Sequence, residues 1–268
     1  MSVHYNEIFT DNRYKDYIQK FWILNNAYNQ FHTSFKYALP NGCCTIAFIS
    51  GNGISLNFGD KSIELPSGIY LVGQITKRVG LSLKPHSKAV MAQVKPWLPL
   101  LITDFSMNEL VNNVLSLEYI NINLYQNLLN VNYAGQEIVV AELCQKLEAY
   151  LNMDVDCYFV RWVFNKLQGN VFAQKKRLVD LAALSGYSQR RMEQKFKELV
   201  GPTPKEIQCI LQLRKLIDDL GKFDHRTNLS TLAHHHGYYD HSHFSKSYQR
   251  IISEPPSLFN ANDYIIPT

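Results

Sequence analysis

The chain has 268 residues, 46% of them hydrophobic and 19% charged, which is length enough for one large domain or two ordinary ones and a composition unlike that of disordered or membrane-embedded chains. No stretch approaches the ~18 unbroken apolar residues of a membrane helix, and the first residues lack the basic and apolar regions of a secretory signal, so no membrane partner and a cytoplasmic address are expected. The net charge of +4 falls entirely after residue 169, because residues 170–217 carry +6 and residues 218–268 carry −2 with six of the nine histidines; the first of these segments is a candidate anion-binding surface.

Between about residues 35 and 95 the pattern predicts six or seven short strands, at Tyr37–Leu39, Cys43–Ile49, Ile54–Phe58, Ser62–Leu65, Ile69–Gly73, Val79–Leu83 and Val90–Lys95. Turn chemistry such as Pro40-Asn41-Gly42 and Ser50-Gly51-Asn52-Gly53 separates them, as in a sandwich or barrel. Tyr37, Phe48, Phe58, Tyr70 and Trp97 are candidate pocket aromatics, but aromatics in strands are mostly core, so the ligand-binding residues stay unknown. After Pro96 and Pro99 the chain reads as helical. Ser106-Met107-Asn108-Glu109 has the S-x-x-E form of a capping box and opens an apolar run through Leu115. Helices follow over 121–130, 136–152 and 154–168, the last ending at Gly169-Asn170. The stripe Val140, Leu143, Leu147, Tyr150 and Leu151 packs either on its own domain or, as the alternative, in a dimer. A domain boundary at 169–174 divides a strand-rich sensor and dimerisation domain (1–169) from a helical domain (170–268).

The helical domain contains a degenerate repeat. Leu178-Val179-Asp180-Leu181-Ala182-Ala183-Leu184-Ser185-Gly186-Tyr187-Ser188 is echoed by Leu229-Ser230-Thr231-Leu232-Ala233-His234-His235-His236-Gly237-Tyr238-Tyr239-Asp240. Each copy reads as a helix-turn-helix: a short helix stops at a glycine, and a Ser or Asp caps a second helix whose apolar residues recur at i and i+4, Met192/Phe196 and Phe244/Tyr248. The units span about 175–202 and 226–256. Thr203-Pro204-Lys205-Glu206 starts a joining helix over about 203–220, roughly 27 Å long at about 1.5 Å per residue, a spacer able to present two recognition helices to successive major-groove segments. The outward positions of the first recognition helix include Arg190, Arg191, Glu193, Gln194 and Lys195, and those of the second Ser242, Ser245, Lys246 and Arg250. These types contact phosphates and base edges.

The segment Gly237-Tyr238-Tyr239-Asp240-His241-Ser242-His243-Phe244-Ser245-Lys246-Ser247-Tyr248 resembles the signature G-[FY]-x-D-x-S-H-F-x-[RK]-x-[FY] of the AraC-type (AraC/XylS) bacterial transcription regulators, over about 175–260. The resemblance implies an α+β, two-domain chain. An N-terminal cupin-like barrel or sandwich with helices would sense a ligand or partner and dimerise, and a C-terminal all-α pair of helix-turn-helix subdomains would bind DNA. Ser253 and Pro255 depart from the pattern, standing where Gly and Ser or Thr are usual.

The expected partners are therefore double-stranded DNA, a second copy of the chain, RNA polymerase and an unidentified small-molecule effector. No GxSxG, HExxH or GxxxxGK[ST] motif is present, so no catalytic residue and no cofactor is expected. A non-DNA-binding protein-interaction adaptor is the alternative. A metal sensor built on His234, His235, His236, His241 and His243 is weaker, because three consecutive helical histidines point about 100° apart and no metal ligand set emerges. The five cysteines have no CxxC spacing and read as reduced, packed thiols.

Overall fold

The computed structural model describes residues 4–131, 136–173, 178–220 and 229–265. Strands come first: β1 (His4–Phe9), β2 (Ile18–Asn26), β3 (Lys36–Ala38), β4 (Cys44–Ser50), β5 (Ile54–Phe58), β6 (Lys61–Leu65), β7 (Gly68–Val72), β8 (Val79–Leu83) and β9 (Ser87–Val94). Then follow α1 (Leu98–Ile102), α2 (Met107–Leu110), β10 (Val114–Ser116), α3 (Leu117–Ile120), α4 (Ile122–Leu129), α5 (Gln136–Glu148) and α6 (Tyr158–Ala173). The helical region is α7 (Leu178–Ser185), α8 (Gln189–Val200), α9 (Pro204–Leu220), α10 (Leu229–His235) and α11 (His241–Ile252). The fold is α+β, with seven strands where six or seven were expected and two earlier ones, β1 and β2, that the turn chemistry did not announce.

The strands form two antiparallel sheets in the orders β1-β2-β9-β4-β7-β10 and β3-β8-β5-β6. Side chains alternate along each strand, and in the larger sheet both faces are apolar. Trp22, Leu24, Ala47, Ile49 and Met91 face Ile54, Leu56, Leu81 and Leu83 of the smaller sheet, which makes the layer between the sheets. Phe21, Ile23, Ile46, Phe48, Val90 and Ala92 face Leu98, Leu110, Leu124, Leu143 and Leu147 of the helices. This double burial makes β2, β4 and β9 nearly continuous apolar runs.

Two expectations are corrected and one pair of alternatives is decided. The run opened by Ser106 is helical only over Met107–Leu110, and the Ser106 side chain makes no cap hydrogen bond. Asn112 has a positive φ of 52°, its Oδ1 accepts from Thr76 N at 2.8 Å, and Val114–Ser116 then pairs with β7; strand pairing overrides the local helical signal. Helix α6 continues through Gly169 to Ala173, because glycine in a helix costs only about 1 kcal/mol against alanine and need not end one. Of the two readings of the α5 stripe, packing on its own domain is the one observed: Val140, Leu143 and Leu147 are buried in the chain's own core. Among the described residues no helix is long and apolar enough to cross a membrane.

A second core binds the helical region to what precedes it. Trp97, Val160, Val163, Phe164 and Leu167 pack with Leu181, Ala182, Met192, Phe196 and Ile207, so α6 shares its core with the first helix-turn-helix unit. All five cysteines are unbridged and buried.

Candidate nucleic-acid interface

Each repeat folds as its residue types dictate. Helix α7 ends at Gly186 and α10 at Gly237, with φ of 72° and 77°, values that glycine adopts without the Cβ clash other residues meet. Ser188 then caps α8, accepting from Arg191 N at 3.3 Å, and Asp240 caps α11, accepting from His243 N at 2.7 Å. Equivalent positions do equivalent work: Leu181 and Leu232, Ala182 and Ala233, Met192 and Phe244, Phe196 and Tyr248 are all buried. The start of each expected unit, 175–177 and 226–228, lies outside the described residues. The joint is a closed capping box, in which Thr203 N donates to Glu206 Oε2 at 2.8 Å and Glu206 N to Thr203 Oγ1 at 3.2 Å. The 17 residues of α9 span about 25 Å.

The side chains expected on the outward faces differ in exposure. On α8, Arg190, Arg191, Gln194 and Lys197 are exposed, while Glu193 and Lys195 are half-buried. Gln189 donates to Glu193 at 2.8 Å and Gln194 to Glu198 at 3.0 Å, i,i+4 bonds along the helix surface. Lys195 is held differently from its neighbours. Its ammonium donates to the Tyr187 hydroxyl at 3.1 Å and stands 4.7 Å from the Phe159 ring centre. On α11, Ser242, Lys246 and Arg250 are exposed and Ser245 is half-buried, with its hydroxyl 3.4 Å from His241 Nδ1.

The histidines separate rather than converge. His234, His235, His241 and His243 are exposed, whereas His236 is buried with its Nε2 3.5 Å from Asp219 Oδ2. Burial lowers the His236 pKa, against the opposing pull of Asp219. Among the described residues no three His, Cys, Asp or Glu are grouped to hold a metal ion. Tyr238, at the turn of the second unit, is also buried, which raises its phenol pKa.

Ser253, where the sequence departs from the signature, takes the left-handed conformation at φ 64° and donates its N–H to Gln249 O at 2.8 Å. The position thus has the conformation the usual glycine serves. Pro255 is extended and leads into a single turn at Pro256–Leu258.

Residues 181–262 match the family model described as a helix-turn-helix domain. They form an AraC-type helix-turn-helix domain. Such a domain is the DNA-binding module of transcription regulators, and in this one α8 and α11 are the second helices of its two turns. No curated protein matches the chain. Among solved structures, the apo form of a ToxT variant from Vibrio cholerae strain SCE256 is 13% identical over 88% of this chain and 95% of its own, with a TM-score of 0.48. A second ToxT structure from Vibrio cholerae is 14% identical over 96% and 97%, at 0.47. The AraC-like transcriptional activator CuxR is 12% identical over 80% and 86%, at 0.27.

The sandwich that precedes the AraC-type domain has a partly open cavity of ≈ 70 Å³, with Trp22, Leu24, Leu56, Leu81, Met91 and Ile265 among its walls. None of the five candidate aromatics lines it; Phe48 and Trp97 are core residues. Gln93, 4% exposed, reaches the same space, and its Oε1 has no hydrogen-bond partner among the described residues. Sequence reasoning missed these residues, because an apolar strand residue facing a cavity has the same pattern as one facing a partner.

Proposed function

We propose that the chain is a sequence-specific, non-catalytic transcription regulator of the cytoplasm, in which α8 and α11 enter successive major-groove segments of one duplex and the sandwich senses an effector. The observation that carries this reading is the pair of capped helix-turn-helix units joined by a rigid α9, with exposed cationic and amide side chains on the first recognition helix. Arg190, Glu193 and Gln194, with Ser242, Ser245 and Lys246, are the base-reading positions. Arg191 and Arg250 contact phosphate, and Lys195 joins them by swinging its ammonium out of its seat on Tyr187 and Phe159. Residues 1–169 form the sensor and residues 170–268 the DNA-binding domain. The cavity and the unpartnered Gln93 carbonyl fit a small, mostly apolar effector with one hydrogen-bond donor. Homodimerisation and contact with RNA polymerase complete the reading, and the dimer would use a surface other than the α5 stripe.

The test is binding of the full chain to a random pool of duplex DNA over a salt series. Phosphate neutralisation releases counterions, so log affinity should fall linearly with log salt, and selection should converge on a site with two halves about 10 base pairs apart. Absence of retention at low salt would overturn the DNA-binding reading and leave the adaptor as the alternative to test.

A further inference from the structure

The segment that follows α11 runs back into the sensor. Tyr264 and Ile265 are 5% and 1% exposed. Ile265 N donates to Tyr37 O at 2.9 Å, Tyr264 bridges to Tyr37 of β3, and the Ile265 side chain is part of the cavity wall. A ladder of rings leads there from the recognition helix: Phe244 to Tyr248 at 5.7 Å, Tyr248 to Phe259 at 6.4 Å, Phe259 to Tyr264 at 5.0 Å and Tyr264 to Tyr37 at 5.6 Å. Arg78, in the turn before β8, fixes the other side. Its guanidinium meets Glu254 at 2.7 Å and the Tyr264 hydroxyl at 2.9 Å and lies 4.2 Å from the Tyr37 ring centre, while its backbone N–H donates to Ile251 O, in the last turn of α11, at 2.9 Å.

These contacts join three things that local structure does not require to meet: the end of the second recognition helix, the smaller sheet and the wall of the sensor cavity. The cavity is well below the ~300–1,000 Å³ typical of small-molecule sites, and one side chain of its wall belongs to a segment anchored outside the sandwich. Withdrawal of Ile265 would enlarge this space for a molecule of ordinary effector size, and Ile265 is tied through Tyr264 and Glu254 to the end of α11. A molecule that binds better when Ile265 is out shifts the population toward the released state by its difference in affinity for the two states.

We propose that Tyr264–Ile265 with the Arg78–Glu254 pair is a latch that holds the second helix-turn-helix unit on the sensor, and that withdrawal of Ile265 from the cavity wall frees that unit to reach DNA. The latch rests on the DNA-binding reading above. Its two positions are exclusive: Ile265 in the wall with α11 docked, or Ile265 out with α11 mobile relative to the sandwich and the first unit still packed on α6.

The test compares the full chain with Ile265→Asp, which places a carboxylate in an apolar wall and disfavours the latched position, and with Ile265→Val, which keeps it. Native-state hydrogen exchange reads the latch directly through the amides of Arg78 and Ile265, with Ile46 in the middle of the larger sheet as the folding control. The expected result is that Arg78 exchanges at least tenfold faster in Ile265→Asp, that Ile46 is unchanged, and that affinity for a fixed random duplex pool at constant salt rises several-fold, Ile265→Val matching the parent in all three. Glu254→Gln, which leaves the cavity wall intact, should show a smaller change in the same direction. Unchanged Arg78 exchange in both variants overturns the latch, as does faster exchange with unaltered DNA affinity. If neither parent nor variant retains DNA, the DNA-binding reading fails and the latch falls with it; parent and variant retaining DNA equally condemns the latch alone.

Discussion

The Lys195 ammonium stands 4.7 Å from the centre of the Phe159 ring, so a cation of α8 is seated on an aromatic side chain of α6. A cation–π contact of this partly exposed kind contributes about 0.5–1 kcal/mol. Lys195→Ala is expected to lower the free energy of unfolding in urea by about that amount, whereas Arg191→Ala, on the exposed face, should stay within about 0.5 kcal/mol of the parent. Equal effects of the two would show that the ring does not hold the lysine in solution.

Arg190 tests base reading. If its guanidinium makes a bidentate contact to guanine, Arg190→Ala relaxes selectivity at one or two base pairs of the selected site and costs about 1–3 kcal/mol there. Selection from a randomised pool with parent and variant measures it. A uniform loss over all sequences, with a shallower salt slope, would make Arg190 a phosphate contact.

Ser253 is strained where the usual residue would not be. A non-glycine residue in the left-handed region costs roughly 1 kcal/mol, so Ser253→Gly should raise the urea midpoint by the equivalent of about 0.5–1 kcal/mol, less what glycine's extra freedom adds to the unfolded chain. A lower midpoint would mean that the serine side chain makes a compensating contact.

His236 makes the second unit sensitive to acid. Its folded pKa is lowered by burial, so the unfolded chain takes up a proton before the folded one does. Its contribution to stability is fully present above the ordinary histidine value of about 6.5 and declines as pH falls from there toward the folded pKa. Urea unfolding at pH 7.5 and 5.5 should show a drop that is reduced in His236→Leu, and an identical drop in the two chains would assign it to other groups.

Burial also silences the thiols. It pushes Cys43 up to about 11 and Cys144 up to about 12, and raises Cys44 and Cys157 as well. Because the thiolate is the reactive species, an aromatic disulfide reagent at pH 8 should label the native chain at less than about a tenth of the rate seen in urea, where all five cysteines react. Rapid stoichiometric labelling of one native thiol would contradict the buried arrangement.

The sequence showed its helix-turn-helix units plainly because every device in them is local: a stop glycine, a cap three residues from its donor, an i,i+4 apolar pair. Two T/S-x-x-E patterns show where such reading ends. Thr203 and Glu206 close their box with Pro204 in the first helical position, while Ser106 and Glu109 have the same spacing and the helix stops at Leu110, because Asn112 turns toward Thr76 and the next residues are claimed by β7. β2 escaped notice for a related reason: Phe21-Trp22-Ile23-Leu24 is buried on both faces, which erases the alternation that marks a strand. The exposure of Arg190, Arg191, Gln194, Ser242, Lys246 and Arg250 was legible from periodicity, whereas the seat of Lys195 on a ring of α6 was not. The cavity and the return of Ile265 to it were not, since the groups that meet there are contributed by distant parts of the chain.

The core shared by α6 and the first helix-turn-helix unit bears on how the molecule can be recombined. A hybrid that grafts the segment after residue 169 onto a foreign sensor leaves behind Val160, Val163, Phe164 and Leu167, the side chains on which Leu181, Met192 and Phe196 rest. The graft would expose the apolar surface of the transplanted segment, and aggregation would be the symptom. A transplant beginning near Cys157, which carries α6 whole, keeps that packing and is the exchangeable unit the structure defines.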